Sequence, residues 1–343
     1  MKASRHDSAL ILQKLLRTEL LRRINPFALS HNARVRARWG QPDDVVRHWT
    51  QIPLVVQRLN ERITGRADVT FTDLVCREHF ADGKARTAVS FGCGSGDREL
   101  DWARRGVFAS LTGLDLSPAR IEAARKAAQD AGLSQVVSFE VADVASVSPD
   151  AGRYDVVLFE HSLHHFSNVD QVLNGVRRIL KPDGLLIVDE FVGPRRFQWS
   201  AKQLAFADAI LACLPRTLRR ASGRRGVKTR NLRAGELLMW LNDPSEAVES
   251  DRIETEVERQ FRVLRRLPYG GTLSHLIFHE IAHHFVTDDP AILQWARLVM
   301  DTEDALLKLG VLSSDFACYV ATPLLDSATP PGAGRNRYQN QTS

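Results

Sequence analysis

Apolar residues gather in short runs through the middle of the chain, and the runs alternate with amphipathic stretches. "TAVSF" (87–91), "SLTGLDLS" (110–117), "VVSFEVADV" (136–144), "YDVVLFE" (154–160) and "LLIVDEFV" (185–192) are short and nearly continuous, as strands buried on both faces are. Between them, "DRELDWARRG" (97–106), "PARIEAARKAAQDAG" (118–132) and "NVDQVLNGVRRIL" (168–180) read as helices. Pro118 stands at a helix start and Gly132 at its stop. Strands alternating with helices at this spacing predict an α/β fold with a parallel sheet covered on both faces. Its ligand crevice is expected at the carboxyl ends of the strands, where the strand order reverses.

The flanks read differently. Residues 5–24 form an amphipathic pattern with Leu10, Ile11, Leu15, Leu16, Leu20, Leu21 and Ile24 on one side, ended by Asn25-Pro26. Such a helix packs on its own domain or on a dimer partner, or rests on a membrane surface. Residues 39–65 predict two helices broken near Pro42 and Pro53. Beyond the fifth strand, 198–220 is helical in pattern as far as Pro215 and the stretch from Ala234 to Phe261 mostly so, separated by the basic segment "ASGRRGVKTRN" (221–231). The expected division is an N-terminal helical extension over 1–66 and a main domain over 67–325. A helical cap is inserted at about 197–255, and 326–343 form a disordered tail.

The chemistry starts at the first strand. Gly92, Gly94 and Gly96 follow it at once, as G-x-G-x-G, and let a ligand approach the backbone with no Cβ in the way. No glycine occupies 97, where a dinucleotide fingerprint places its third. Asp115 ends the second strand and Asp143 the third. An acid at the end of the second strand is placed to bind ribose hydroxyls.

With these residues in order, the chain resembles the class I S-adenosylmethionine-dependent methyltransferases. The resemblance rests on "VSFGCGSG", "TGLDLSPARI", "FEVADV", "YDVVLFEHSLHHF" and "ILKPDGLLIVDEF", and covers residues 87–192. It implies a Rossmann-like, doubly wound, seven-stranded sheet, mostly parallel with an antiparallel last strand. The remaining strands fall at 260–267 and 315–322. It implies that Gly92, Cys93, Gly94 and Gly96 wrap the methionine part of S-adenosylmethionine. Asp115, with Leu116 beside it, would hold the ribose. Asp143 would hydrogen-bond the adenine amine with Val144 against the ring, and Glu160 and His161 would line the methionine end. One position departs from the family, which carries an acid two residues before the first glycine; here it is Ser90.

Methyl transfer from a sulfonium is an in-line displacement that needs chiefly orientation. An oxygen nucleophile also needs its proton removed. His164 and His165, in "EHSLHHF", are the candidate bases, since histidine titrates nearest neutrality. Glu190, at the end of the fifth strand, is a candidate for orienting a hydroxyl or ammonium group of the substrate, or for pairing with Arg195 or Arg196.

Composition narrows the partners. The chain has 343 residues, 44% hydrophobic and 25% charged, with a formal charge of +5. That excess is mild, and no basic patch interleaved with aromatics marks a nucleic-acid binder. Four scattered cysteines without a CxxC pair fit a reducing compartment and no cysteine metal site. The expected enzyme is cytoplasmic, a monomer or homodimer without a transmembrane segment or resident metal, methylating oxygen on a small molecule or sugar. A non-catalytic scaffold with the same fold is the second reading.

A third reading comes from "HEIAHHF" (279–285). His279, Glu280 and His283 spell H-E-x-x-H, which on one continuous helix would place both histidines on a single face for zinc. Glu303 follows His283 at the distance of a third ligand. A helix at 270–285 is expected to cover the sheet with Leu273, Leu276, Ile277, Ile281 and Phe285, and the next to run over 288–310. The zinc-hydrolase reading requires that first helix.

Overall fold

A computed structural model describes residues 48–143, 152–222, 226–233, 235, 236, 239, 243 and 245–324. The helix expected at 5–24, the tail at 326–343 and Val144 lie outside the described residues.

Helix α1 (Pro53–Thr64) starts on a proline and stops at Gly65, whose φ of 79° provides the left-handed cap. Helix α2 (Phe71–His79) is opened by Thr70, whose hydroxyl accepts from the Asp73 amide while the Asp73 carboxylate returns to the Thr70 amide. The alternating part follows: β1 (Arg86–Phe91), α3 (Asp97–Ala103), β2 (Phe108–Asp115), α4 (Pro118–Asp130), β3 (Val137–Val141), β4 (Tyr154–Glu160), α5 (Val169–Ile179) and β5 (Leu180–Phe191). Then come α6 (Ala201–Cys213), α7 (Ile253–Gln260), β6 (Phe261–Gly270), α8 (Ser274–Phe278), α9 (Pro290–Lys308) and β7 (Phe316–Pro323).

The seven strands form one sheet in the order β3-β2-β1-β4-β5-β7-β6. β1 pairs in parallel with β2 and β4, β2 with β3, and β4 with β5, while β7 runs antiparallel to β5 and β6. The order reverses between β1 and β4, so the crevice opens there, as the sequence pattern predicts. Burial explains the continuous apolar runs. Ala88, Val89, Val156, Val157, Leu158, Leu186, Ile187 and Val188 are all at most 1% exposed, because helices cover both faces. Each such side chain contributes about 1.5–3 kcal/mol when fully buried.

Strand β5 begins earlier than its apolar run, since Leu180 pairs with Tyr154 and the register shifts before Val156. Lys181 and Asp155 hold this irregular entrance with an ion pair of 2.7 Å.

The expected helix at 270–285 is broken. Helix α8 ends at Phe278, His279 has φ −51° and ψ 130°, Glu280 has φ 68°, and a separate 3-10 turn spans Ala282–Phe285. His279 and His283 therefore do not share one helical face, and the arrangement on which H-E-x-x-H chemistry depends is absent from this segment. Two forces cause the break. Lys228 Nζ donates to the carbonyls of Leu276, Ile277 and His279 at 2.5, 3.1 and 2.9 Å, which ends the helix. The kink also lets Ile277, Phe278, Ile281, Ala282 and Phe285 all reach 0% exposure.

Glu303 likewise has a structural task. Its side chain is fully buried in α9 and pairs with Arg62 of α1 at 2.6 Å. It also accepts the backbone N–H groups of Gly271, Leu273 and Ser274 at 3.0, 2.6 and 2.8 Å, so it caps α8 from outside. Glu303→Ala leaves three buried backbone donors without their acceptor and strips Arg62 of one of its two carboxylate partners, the other being Asp304. It is expected to lower the unfolding free energy by roughly 3–5 kcal/mol in urea titration. A loss below about 1 kcal/mol would show that this carboxylate does not organise the region.

Candidate active site

The turn after β1 is folded against the end of β2. The amides of Gly92 and Cys93 both donate to the Leu114 carbonyl, at 2.7 and 3.1 Å, and Gly96 donates to Cys93. Gly92 and Gly96 have φ of 72° and 84°, and neither position has room for a side chain. A Cβ on Gly92 would stand 2.7 Å from Ser162 Cβ, and one on Gly96 2.6 Å from Phe139 Cζ. Asp115 ties the turn to β2: its Oδ2 accepts the Gly94 amide at 3.0 Å and its Oδ1 the Ser117 amide at 2.7 Å. Leu116 beside it is half-buried. The Ala142 amide donates to the Asp115 carbonyl, which brings half-buried Asp143 to the same rim. The glycine turn and both acids that end strands thus share one edge of the crevice. Burial pushes the Cys93 thiol up, so it remains a neutral thiol.

The other edge carries the charges. Glu160, at the end of β4, accepts from Trp102 Nε1 at 2.5 Å and lies 3.7 Å from Arg98 Nε. Burial pushes its carboxyl up, against the pull of Arg98. His161 has a left-handed backbone, φ 55°, and its Nε2 stands 3.4 Å from Asp189. Asp189 also accepts from the Tyr269 hydroxyl at 2.6 Å. Burial opposes charge on Asp189, yet His161 and Arg98 hold it well below the usual carboxylate range.

Beyond His161 the loop is held by Glu190, which is completely buried. Glu190 Oε2 accepts the amides of Ser162 and Leu163 at 2.9 and 2.8 Å, while Oε1 meets His164 Nδ1 and the Phe191 amide. Its carboxylate is therefore engaged with this loop, with His164 in the place that Arg195 or Arg196 was expected to fill. His164 Nε2 lies 3.5 Å from Glu246 Oε1, and the Val248 amide donates to the His164 carbonyl. Burial would neutralise His164, but Glu190 and Glu246 overcome it and push its pKa up to about 10. His165 goes the opposite way: burial and the adjacent His164 lower it. The two rings lie 4.1 Å apart.

Several of these partners gave no signal that the motifs contain. Glu246 comes from the cap and meets His164 across 82 positions, a pairing that no local pattern encodes. Glu99 had a signal that could be read: it shares the buried stripe of α3 with Trp102 and Ala103, an acid at an apolar position. Its Oε1 accepts the Ser90 hydroxyl at 2.5 Å, and its Oε2 is buried without a partner among the described residues. The chain thus places an acid beside Ser90, where the family's strand acid is missing.

Burial raises Glu99 to about 8 from 4.5. Because the folded value lies above the unfolded one, the neutral acid's contribution is complete below pH 4.5 and fades as pH rises toward 8. Glu99→Gln does not titrate, so its stability relative to the unsubstituted protein is expected to grow between pH 5 and pH 8. The gain is on the order of a few kcal/mol in urea unfolding at the two pH values. A difference independent of pH would contradict a neutral, buried Glu99.

The family profile described as "Methyltransferase domain" matches residues 89–188. Among curated proteins, the chain is 28% identical over 129 residues to the 2-phytyl-1,4-naphtoquinone methyltransferase of Trichormus variabilis, covering 37% of this chain and 56% of that one. It is 28% identical over 167 residues to a demethylmenaquinone methyltransferase of Tropheryma whipplei, covering 49% and 63%. These matches therefore span less than two thirds of the relatives' own length. Among solved structures, the geranyl diphosphate C-methyltransferase of Streptomyces coelicolor A3(2) superposes with a TM-score of 0.50 and 13% identity, over 87% of this chain and 99% of that one. That likeness concerns the fold. The profile match, the strand order and the glycine turn agree, so residues 89–188 carry a methyltransferase domain of the class I S-adenosylmethionine-dependent type.

Proposed function

We propose that the protein moves the methyl group of S-adenosylmethionine to a small, planar, largely apolar acceptor through an ionisable oxygen. The observation that carries this reading is a buried aromatic cluster that reaches the histidine–carboxylate group through Phe191, 6.2 Å from the His164 ring. Phe191 lies 4.9 Å from Phe197 and 5.2 Å from Phe316, and Phe197 stacks on Trp199 at 5.1 Å. His275 stands among them, 5.6 Å from Phe197 and 5.5 Å from Phe316, and its Nδ1 is buried without a partner among the described residues. Aromatic side chains stack favourably on another flat ring. The names of the quinone methyltransferases among the relatives point to the same acceptor class.

The residues present fit the cofactor: Gly92, Cys93, Gly94 and Gly96 form a turn directly after β1 whose three glycines take left-handed backbone, and acids stand at two strand ends. When bound, S-adenosylmethionine supplies a methyl group on a sulfonium, a good leaving group. Asp115, with Leu116 beside it, would hold the ribose, and Asp143 the adenine amine. Glu160 and His161 would face the methionine end, with Glu99 behind them. Glu190 acts as a positioning residue, because its contacts fix the loop that carries His161, His164 and His165. The acceptor oxygen gives up its proton to His165, which burial and His164 keep neutral, while His164 stays protonated between Glu190 and Glu246. The oxygen lone pair would then bond the methyl carbon, with the electrons of the broken bond left on sulfur. The cap at about 197–255, which supplies Glu246, would choose the acceptor. No helix among the described residues is long and apolar enough to cross a membrane, and we place the reaction in the cytoplasm.

Incubation with S-adenosylmethionine carrying a labelled methyl group tests this reading against hydroxylated naphthoquinones, simple phenols and sugars. Label is expected in the ring compounds, on oxygen by mass spectrometry. Label in sugars alone would overturn the acceptor class, and label on ring carbon would overturn the target atom.

A further inference from the structure

His164, His165 and Glu246 each offer one ligand atom, and the three atoms lie within 4.8 Å of one another. We infer that they form a binding site for a first-row divalent transition ion such as zinc or manganese, placed between the loop after β4 and the cap.

Three observations carry this beyond proximity. The first is spacing. His164 Nε2 and Glu246 Oε1 are 3.5 Å apart, longer than the best hydrogen bonds. Two ligands each about 2.1 Å from a shared ion lie roughly 3.0–3.4 Å apart, so the pair needs only a slight closure. The second is the outer shell. Metal-bound histidines usually give their other nitrogen to a carboxylate or another oxygen, which fixes the ring. Here Glu190 holds His164 Nδ1, and Ser245 Oγ stands 3.3 Å from His165 Nδ1 while donating to Asp243 at 2.6 Å. The third is access. His164 is buried, but His165 and Glu246 are only partly so, which leaves a way in for an ion.

Two imidazoles and one carboxylate suit zinc, manganese or iron better than magnesium or calcium, which prefer oxygen alone. Three protein ligands also leave positions open. The consequence for catalysis rests on the function proposed above. Binding the ion displaces the Nε2 proton of His164 and makes His165 a ligand rather than the proton acceptor; an acceptor hydroxyl at an open position would then lose its proton to water more readily and attack the methyl carbon. The binding of the ion itself does not rest on that function.

The test is titration of the untagged, chelator-stripped full chain with Co²⁺, followed by visible absorption, with S-adenosylhomocysteine binding measured on the same samples. We expect one Co²⁺ per chain at this site. Glu246→Gln and His165→Gln should weaken it at least tenfold, and Glu190→Gln by about 10–100-fold through the lost orientation of His164. His283→Ala, in the other histidine-rich segment, should leave it unchanged. Retained S-adenosylhomocysteine binding shows that a variant is folded. A parent protein that binds no Co²⁺ overturns the site, as does Co²⁺ binding that survives both ligand substitutions. Failure of S-adenosylhomocysteine binding with Co²⁺ retained would instead count against the methyltransferase reading.

Discussion

One buried carboxylate sets the shape of the crevice. Glu190 closes β5 with no exposed surface, and such burial costs several kcal/mol unless its oxygens are met by donors. The donors come from the loop after β4: two consecutive amides and the His164 ring. Once that loop is drawn onto Glu190, Ser162 reaches the Phe91 carbonyl at 2.6 Å and its Cβ lies against Gly92. The glycine at the first position of the turn is therefore required by the fold itself. The cap follows, because the Val248 amide binds the His164 carbonyl and Glu246 approaches the ring. Glycine turn, histidine loop and cap are thus bound to a single anion.

The two rims of the crevice differ in physical character. The turn and Asp115 offer backbone groups and one carboxylate, a neutral to anionic cradle. The opposite rim interleaves Arg98, Glu160, Asp189, His161 and Tyr269 in contact distance, so each charge has a partner in a region of low dielectric. Such groups are oriented before any ligand arrives, which is the main contribution a protein can make to an in-line displacement.

The sheet was legible because strands buried on both faces leave an uninterrupted apolar run, as "VVLF" in β4 does. The turn was legible because Gly92 and Gly96 lie where only glycine fits. What local pattern cannot carry is long-range pairing. Nothing near residue 279 announces that Lys228 ends a helix there, and its ammonium group is one of the two causes that separate His279 from His283. Glu303 is suitably spaced for a zinc ligand, yet Arg62, 241 positions away, and three amides take its oxygens. Glu246 is similarly silent in the sequence, and it joins His164 and His165 only through the folded cap.

Calorimetric titration of S-adenosylhomocysteine into the full chain and into Asp115→Ala tests the central claim most directly. Saturable one-to-one binding is expected, weakened by about 100-fold in the variant if two charge-assisted hydrogen bonds to the ribose are lost. Equal affinity in both proteins, or no binding by either, would contradict the assignment of the glycine turn and Asp115 as the cofactor site.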